Sequence, residues 1–106
     1  MESIVVLVTC GSAKEARRLA GALVSKRLAA CVNVMAVPVK SVYRWKGKVE
    51  AATELLMLIK TTRRKFAALE KEIRQLHSYE TPEIIALPIA AGSKAYLEWL
   101  RNSVKA

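Results

Sequence analysis

The chain has 106 residues, 53% of them hydrophobic and 25% charged. That is enough apolar material for one globular domain over residues 1–106 and too much for a disordered or fibrous chain. Eighteen Lys and Arg against nine acidic residues leave a net charge of +9, but the cations are spread along the whole length, as on a solvated surface rather than a nucleic-acid footprint.

Cys10 and Cys31 lack CxxC spacing, which argues against a disulfide framework or a structural zinc site and for a reducing compartment. Met1-Glu2-Ser3 leads straight into Ile4 to Val8 without the basic flank of a signal peptide, and the apolar run Ile84 to Ala91 is too short to span a bilayer. A cytoplasmic protein with no membrane partner is expected.

In chain order, Ile4 to Thr9 is a β-branched run of the kind found in strands buried on both faces. Ser12-Ala13-Lys14-Glu15 is a capping box and predicts a helix, whose apolar stripe is Ala16, Leu19, Ala20 and Leu23. That helix is expected to end near Arg27 to Ala30, where a basic last turn suits the dipole. From Ala30 to Thr62 two long β-type runs meet at Arg44-Trp45-Lys46-Gly47-Lys48, and Lys46-Gly47 supplies the reversal. A strand from Ala30 to Trp45 would reach roughly 50 Å, whereas a globule of this length is about 34 Å across. The hairpin therefore protrudes, with apolar residues on both faces, and other copies of the chain are expected to cover it. Pro38, lacking an amide proton, predicts a bulge or bend in its first strand.

Phe66, Leu69, Ile73 and Leu76 then mark a helix from about Thr62 to His77, with Glu70 and Arg74 as an i, i+4 pair. Thr81-Pro82 stops it, Glu83 to Ile89 predicts a fourth strand at an edge because of Pro88, and Gly92-Ser93 caps a short last helix carrying Tyr96, Leu97, Trp99 and Leu100. The order β-α-β-β-α-β-α belongs to the α+β class. It predicts a ferredoxin-like βαββαβ sandwich with a long hairpin between its second and third strands and a short C-terminal helix. Helices cover one sheet face in that arrangement, and the open face is a second reason to expect subunit packing.

No Ser-His-Asp set, phosphate-cradling glycine loop or paired-carboxylate signature is present, so the chain is not expected to be an enzyme. The densest polar cluster is His77-Ser78-Tyr79-Glu80-Thr81-Pro82-Glu83. It either closes the helix end and sets the turn, or forms a metal or small-anion site. A metal needs three or four donors, so His77 would draw on Glu83, on a thiol such as Cys31, and on a neighbouring subunit; Cys31, like Cys10, also fits the role of a small buried hydrophobe. Glu54 interrupts an apolar stretch that Lys60 ends. These two would form an ion pair across strands or line a subunit cleft together with Tyr79 and Trp99. Tyr43 and Trp45, with Val39 and Val42, read as anchors of a subunit interface.

Lys26-Arg27-Leu28-Ala29-Ala30-Cys31-Val32-Asn33, Ser41-Val42-Tyr43-Arg44-Trp45-Lys46-Gly47-Lys48, Glu54 through Lys60-Thr61, His77 through Pro88 and Gly92 through Trp99 occur in one order that resembles the CutA divalent-cation tolerance proteins over nearly the whole chain. The resemblance implies a ferredoxin-like subunit in a tight homotrimer built through its extended hairpins, cytosolic and associated with tolerance to copper and other divalent metals. It also implies a copper set of a first-strand cysteine and a His-His pair. In this sequence Val8 stands at the cysteine position, Cys10 lies two residues on, and Leu76 precedes His77.

Three functions follow as expectations. The first is a non-enzymatic trimer with no tightly bound cofactor that binds a divalent metal, copper, weakly through His77, Tyr79 and Glu83 with help from a neighbouring subunit. The second is a trimer resembling PII-like regulators that reads a small anion in subunit clefts through Lys60, Arg63 and Arg64. The third, RNA binding on an open sheet, lacks stacking aromatics in Ile4 to Thr9 and Leu55 to Ile59, which leaves no specific nucleic-acid partner.

Overall fold

The β-branched run near the N-terminus becomes β1 (Ser3–Cys10) in a computed structural model that describes residues 2–105. Ile4, Val6, Val8 and Cys10 are at most 2% exposed. Val5, Leu7 and Thr9 alternate to the other face and stay half-buried, so one face is sealed rather than the two that the apolar run predicts. The helix α1 (Ala13–Ser25) starts as expected, with Ser12 Oγ accepting from the Glu15 amide at 3.1 Å. It stops earlier than expected. Arg27 takes a left-handed φ of 57°, the Leu28 amide donates to the Leu23 carbonyl at 2.9 Å, and the Arg27 amide donates to that of Val24 at 3.1 Å. This is a Schellman closure.

The predicted hairpin is three strands: β2 (Cys31–Val34), β3 (Val39–Trp45) and the 15-residue β4 (Lys48–Thr62). β2 pairs with the inner half of β4 and β3 with its outer half. Between Val34↔Met57 and Val39↔Glu54, the four residues Met35 to Pro38 stand opposite only Leu55 and Leu56. The break predicted at Pro38 is thus a bulge of two extra residues, an even number that leaves both strands facing as before. At the tip Lys46 (φ 50°) and Gly47 (φ 80°) form the two-residue turn, closed by the pair Trp45↔Lys48. Positive φ at both central positions is the type I′ pattern.

A 3₁₀ turn, Arg63–Lys65, leads into α2 (Phe66–Leu76), followed by the edge strand β5 (Ile85–Pro88) and α3 (Lys94–Ser103). The helical ion pair differs from the one expected. Among the described residues Glu70 and Arg74 form no bridge, while Glu72 of α2 meets Lys26 beyond α1 at 2.7 Å.

The result is a mixed α+β fold with an antiparallel sheet ordered β2-β4-β1-β5, β3 continuing it along β4, and three helices. The core lies where α1 (Ala16, Leu19, Leu23) and α2 (Leu69, Ile73) meet the sealed face of β1 and Leu55, Met57 and Ile59 of β4. Each such side chain contributes about 1.5–3 kcal/mol by leaving water. Leu100 and Val104 make a second, smaller core with Ala30 and Ile89. Beyond Glu54 the β3–β4 ribbon leaves apolar side chains exposed on both faces: Val42 and Val49 are 73% and 66% exposed, and Tyr43 and Trp45 on the opposite face 44% and 38%. No helix among the described residues is long and apolar enough to cross a membrane.

Candidate functional site

The ribbon leaves the body of the molecule at Glu54, and the loop that follows α2 folds back against that junction. A cavity of about 710 Å³ opens between them. Thr9 and Glu54 form its floor; Ser41, Val42, Tyr43 and Trp45 of β3 make one wall, and Tyr79 through Glu83 the other.

His77 sets the position of the second wall. It is the C-cap of α2, its side chain is fully buried, and its Nε2 lies 2.8 Å from the Thr9 carbonyl. A carbonyl only accepts, so Nε2 carries the proton. That leaves Nδ1 free to accept from the Tyr79 amide at 3.0 Å. Both ring nitrogens are engaged, and the imidazole ties the loop to β1. Glu15 holds the next residue, its Oε2 accepting from the Ser78 amide at 2.7 Å and its Oε1 from the Gly11 amide at 3.4 Å. In the expected capping box this carboxylate would return to the Ser12 amide; it reaches past it instead. Burial opposes its ionisation, but the Ser78 amide and hydroxyl, the neighbouring imidazole and the Gly11 amide outweigh that and hold the carboxyl below its ordinary value.

Positioned in this way, the Tyr79 phenol donates to Glu54 Oε2 at 2.8 Å. Glu54 is only 7% exposed, and a buried carboxylate needs such a donor. Burial and the Glu54 carboxylate together push the Tyr79 hydroxyl well above the usual phenol range, so it remains a donor at any ordinary pH. Glu80 and Glu83 reach the same cavity from the exposed rim. Three of the nine acidic residues of a chain with net charge +9 therefore share one cavity.

The structure thus gathers Tyr79, Glu54, Glu83, Tyr43, Trp45 and Val42, and places His77 directly behind them. Val39 lies at the junction, opposite Glu54. Cys31, Lys60 and Trp99 go elsewhere. Cys31 and Lys60 are paired neighbours on β2 and β4, Lys60 bonds to Asn33, and Trp99 lies exposed on α3 beside Tyr96. The facing Glu54–Lys60 pair does not form, because both residues belong to β4 and point to separate partners. Nor do His77, Glu83 and Cys31 converge: among the described residues no group of three His, Cys, Asp or Glu side chains is disposed to hold a metal ion. Of Lys60, Arg63 and Arg64, Lys60 bonds to Asn33 and Arg63 bridges to Glu2 at 3.2 Å. Sequence reasoning missed Thr9, Ser41 and the tie from Glu15. Only Glu15 carried a local signal, as a capping residue.

A family model described as CutA1 divalent ion tolerance protein matches residues 4–103. The divalent-cation tolerance protein CutA of Thermus thermophilus is 52% identical over 100 residues, covering 93% of this chain and 95% of that protein. Human protein CutA is 48% identical over 95 residues, 90% of this chain and 52% of that longer protein. The crystal structure of CutA1 from Oryza sativa superposes with a TM-score of 0.94 at 46% identity, covering 99% of this chain and 95% of that one.

Proposed function

The chain belongs to the CutA1 divalent ion tolerance family, and from that premise we propose that it is a non-enzymatic homotrimer of ferredoxin-like subunits that binds divalent copper in the cavity between ribbon and loop. The observation that carries this is that Glu54, Glu80 and Glu83 line one cavity in an otherwise basic molecule. Carboxylate oxygens suit divalent ions, and among first-row metals Cu²⁺ binds a given oxygen and nitrogen set most tightly. Among its described residues a single chain does not supply three converging ligands. The site is therefore weak in one copy and is completed by a neighbouring subunit.

Two features support assembly with other copies of the chain. The ribbon exposes apolar side chains on both faces, which a monomer in water does not favour, and β5 exposes Ile85 and Leu87 at 52% and 51%. The strand order β5-β1-β4-β2 supports the ferredoxin-like assignment.

His77 enters as the group that fixes the loop, Glu54 and Glu83 as the ligands. Titration of copper into the parent and into Glu54→Gln and Glu83→Gln variants, followed by calorimetry, tests this. Each variant is expected to weaken binding about tenfold or more, at least the loss that follows removal of an outer-shell partner. Unchanged affinity in both variants would place the metal elsewhere.

A further inference from the structure

Thr62 ends β4 eight residues beyond Glu54, about 26 Å along the strand. It stands at the N-cap of the 3₁₀ turn that opens into α2, with extended backbone (φ −112°, ψ 157°). At that position a threonine hydroxyl ordinarily accepts from a first-turn amide. Here neither the 3₁₀ turn nor α2 has a side-chain cap. Thr62 is 1% exposed and its Oγ1 has no hydrogen-bond partner. An unpaired buried hydroxyl is destabilising, as are uncapped helix amides.

The same residue lines a cavity of about 470 Å³. Arg64 and Lys65 come to it from the 3₁₀ turn, Arg101 and Asn102 from the far end of α3, and Lys105 from just beyond it. No carboxylate is among the described residues lining it. The ion pairs among the described residues are Lys26–Glu72, Lys46–Glu80, Arg63–Glu2 and His77–Glu15, none of which uses these four cations. Adjacent Arg63 is neutralised by Glu2, while Arg64 and Lys65 are left for the cavity.

We infer that this cavity is a binding site for a small multivalent phosphate-type anion. An unpartnered hydroxyl and two arginines without carboxylate partners all demand acceptors, and a tetrahedral oxyanion offers several at once. Arginine pairs are suited to phosphate oxygens because the guanidinium fork binds them bidentately. The cavity has room for more than one phosphoryl group. Because its walls come from the end of β4, from the 3₁₀ turn that follows it and from the end of α3, a bound anion also pins α3 to the end of the sheet. This site is independent of the copper cavity at the other end of β4.

Pyrophosphate titrated calorimetrically into the full chain, at ionic strength held constant with KCl, is expected to give saturable binding, and Arg64→Ala and Arg101→Ala are each expected to weaken it about tenfold or more. Inorganic phosphate in a second arm should bind more weakly, and citrate more weakly still. Thr62→Val separates the site from general charge: without the unpaired hydroxyl it should raise the urea midpoint in phosphate-free buffer while lowering pyrophosphate affinity. Lys14→Ala, which removes an exposed cation on α1, and Glu54→Gln should bind pyrophosphate as the parent does. Absence of saturable heat, a loss in Lys14→Ala equal to that in Arg101→Ala, citrate binding tighter than pyrophosphate, or a Thr62→Val variant unchanged in both midpoint and affinity would each overturn the assignment.

Discussion

The Glu15 carboxylate serves two segments at once, the mouth of α1 through the Gly11 amide and the loop beyond α2 through the Ser78 amide. Its ionised form is favoured by folding, which fixes a sign. A carboxyl held below its unfolded value of about 4.3 contributes stability that is complete above that pH and is lost as pH falls through the folded value. Guanidinium midpoints of the parent should therefore drop on acidification below about pH 4.3, and Glu15→Gln should show a shallower acid limb over the same interval. Equal acid slopes would remove Glu15 from this role. The helix-capping half of its behaviour was legible in Ser12-Ala13-Lys14-Glu15. The Ser78 half was not, because a contact between residues 63 apart in the chain leaves no local pattern. Tyr79 and Glu54 are similar: each stood out singly, as a phenol in a polar loop and a charge in an apolar strand, but their shared hydrogen bond exists only once the fold is known.

The boundaries the sequence misplaced are those where the usual signal residue is missing. Helix α1 closes with a left-handed residue, a position that favours glycine, yet Arg27 occupies it. Its basic neighbours then read as a last helical turn. Arg27→Gly should relieve that conformation and raise stability by about 0.5–1 kcal/mol, measured as a shift in guanidinium midpoint at unchanged slope; a fall would mean that the Arg27 contact with the Ser103 carbonyl at 3.4 Å matters more. In the hairpin, Pro38 correctly signalled a break. Met35-Ala36-Val37 nevertheless continue the β-type composition without pairing as a strand, so the division into β2 and β3 could not be seen in advance. Element order, edge placement of the proline-bearing strand and the turn at Lys46-Gly47 were legible, because each rests on backbone chemistry local to a few residues.

The molecule measures 44 × 26 × 24 Å with a radius of gyration of 14.2 Å, above the roughly 13 Å of a compact domain of this length. The excess is the ribbon. Tyr43 and Trp45, which read in the sequence as anchors of a subunit interface, also line the cavity proposed to take copper. Trp45→Ala should consequently weaken both assembly and copper binding. Val49 faces away from Trp45 and lines no part of that cavity. Val49→Asp should therefore lower the trimer fraction in sedimentation velocity at micromolar concentration, by about 2 kcal/mol or more per interface if Val49 is a central contact, and a sedimentation profile like the parent's would remove this face of the ribbon from the interface. The single strand β4 carries the core in one half and the ribbon in the other as one continuous element, from Lys48 to Thr62. Deleting one residue between Val49 and Thr53 would leave the core half in place and turn every outer side chain over, sending Tyr43 and Trp45 to the wrong side of their partners. The arm can thus be shortened or extended only in steps of two residues per strand, about 7 Å at a time.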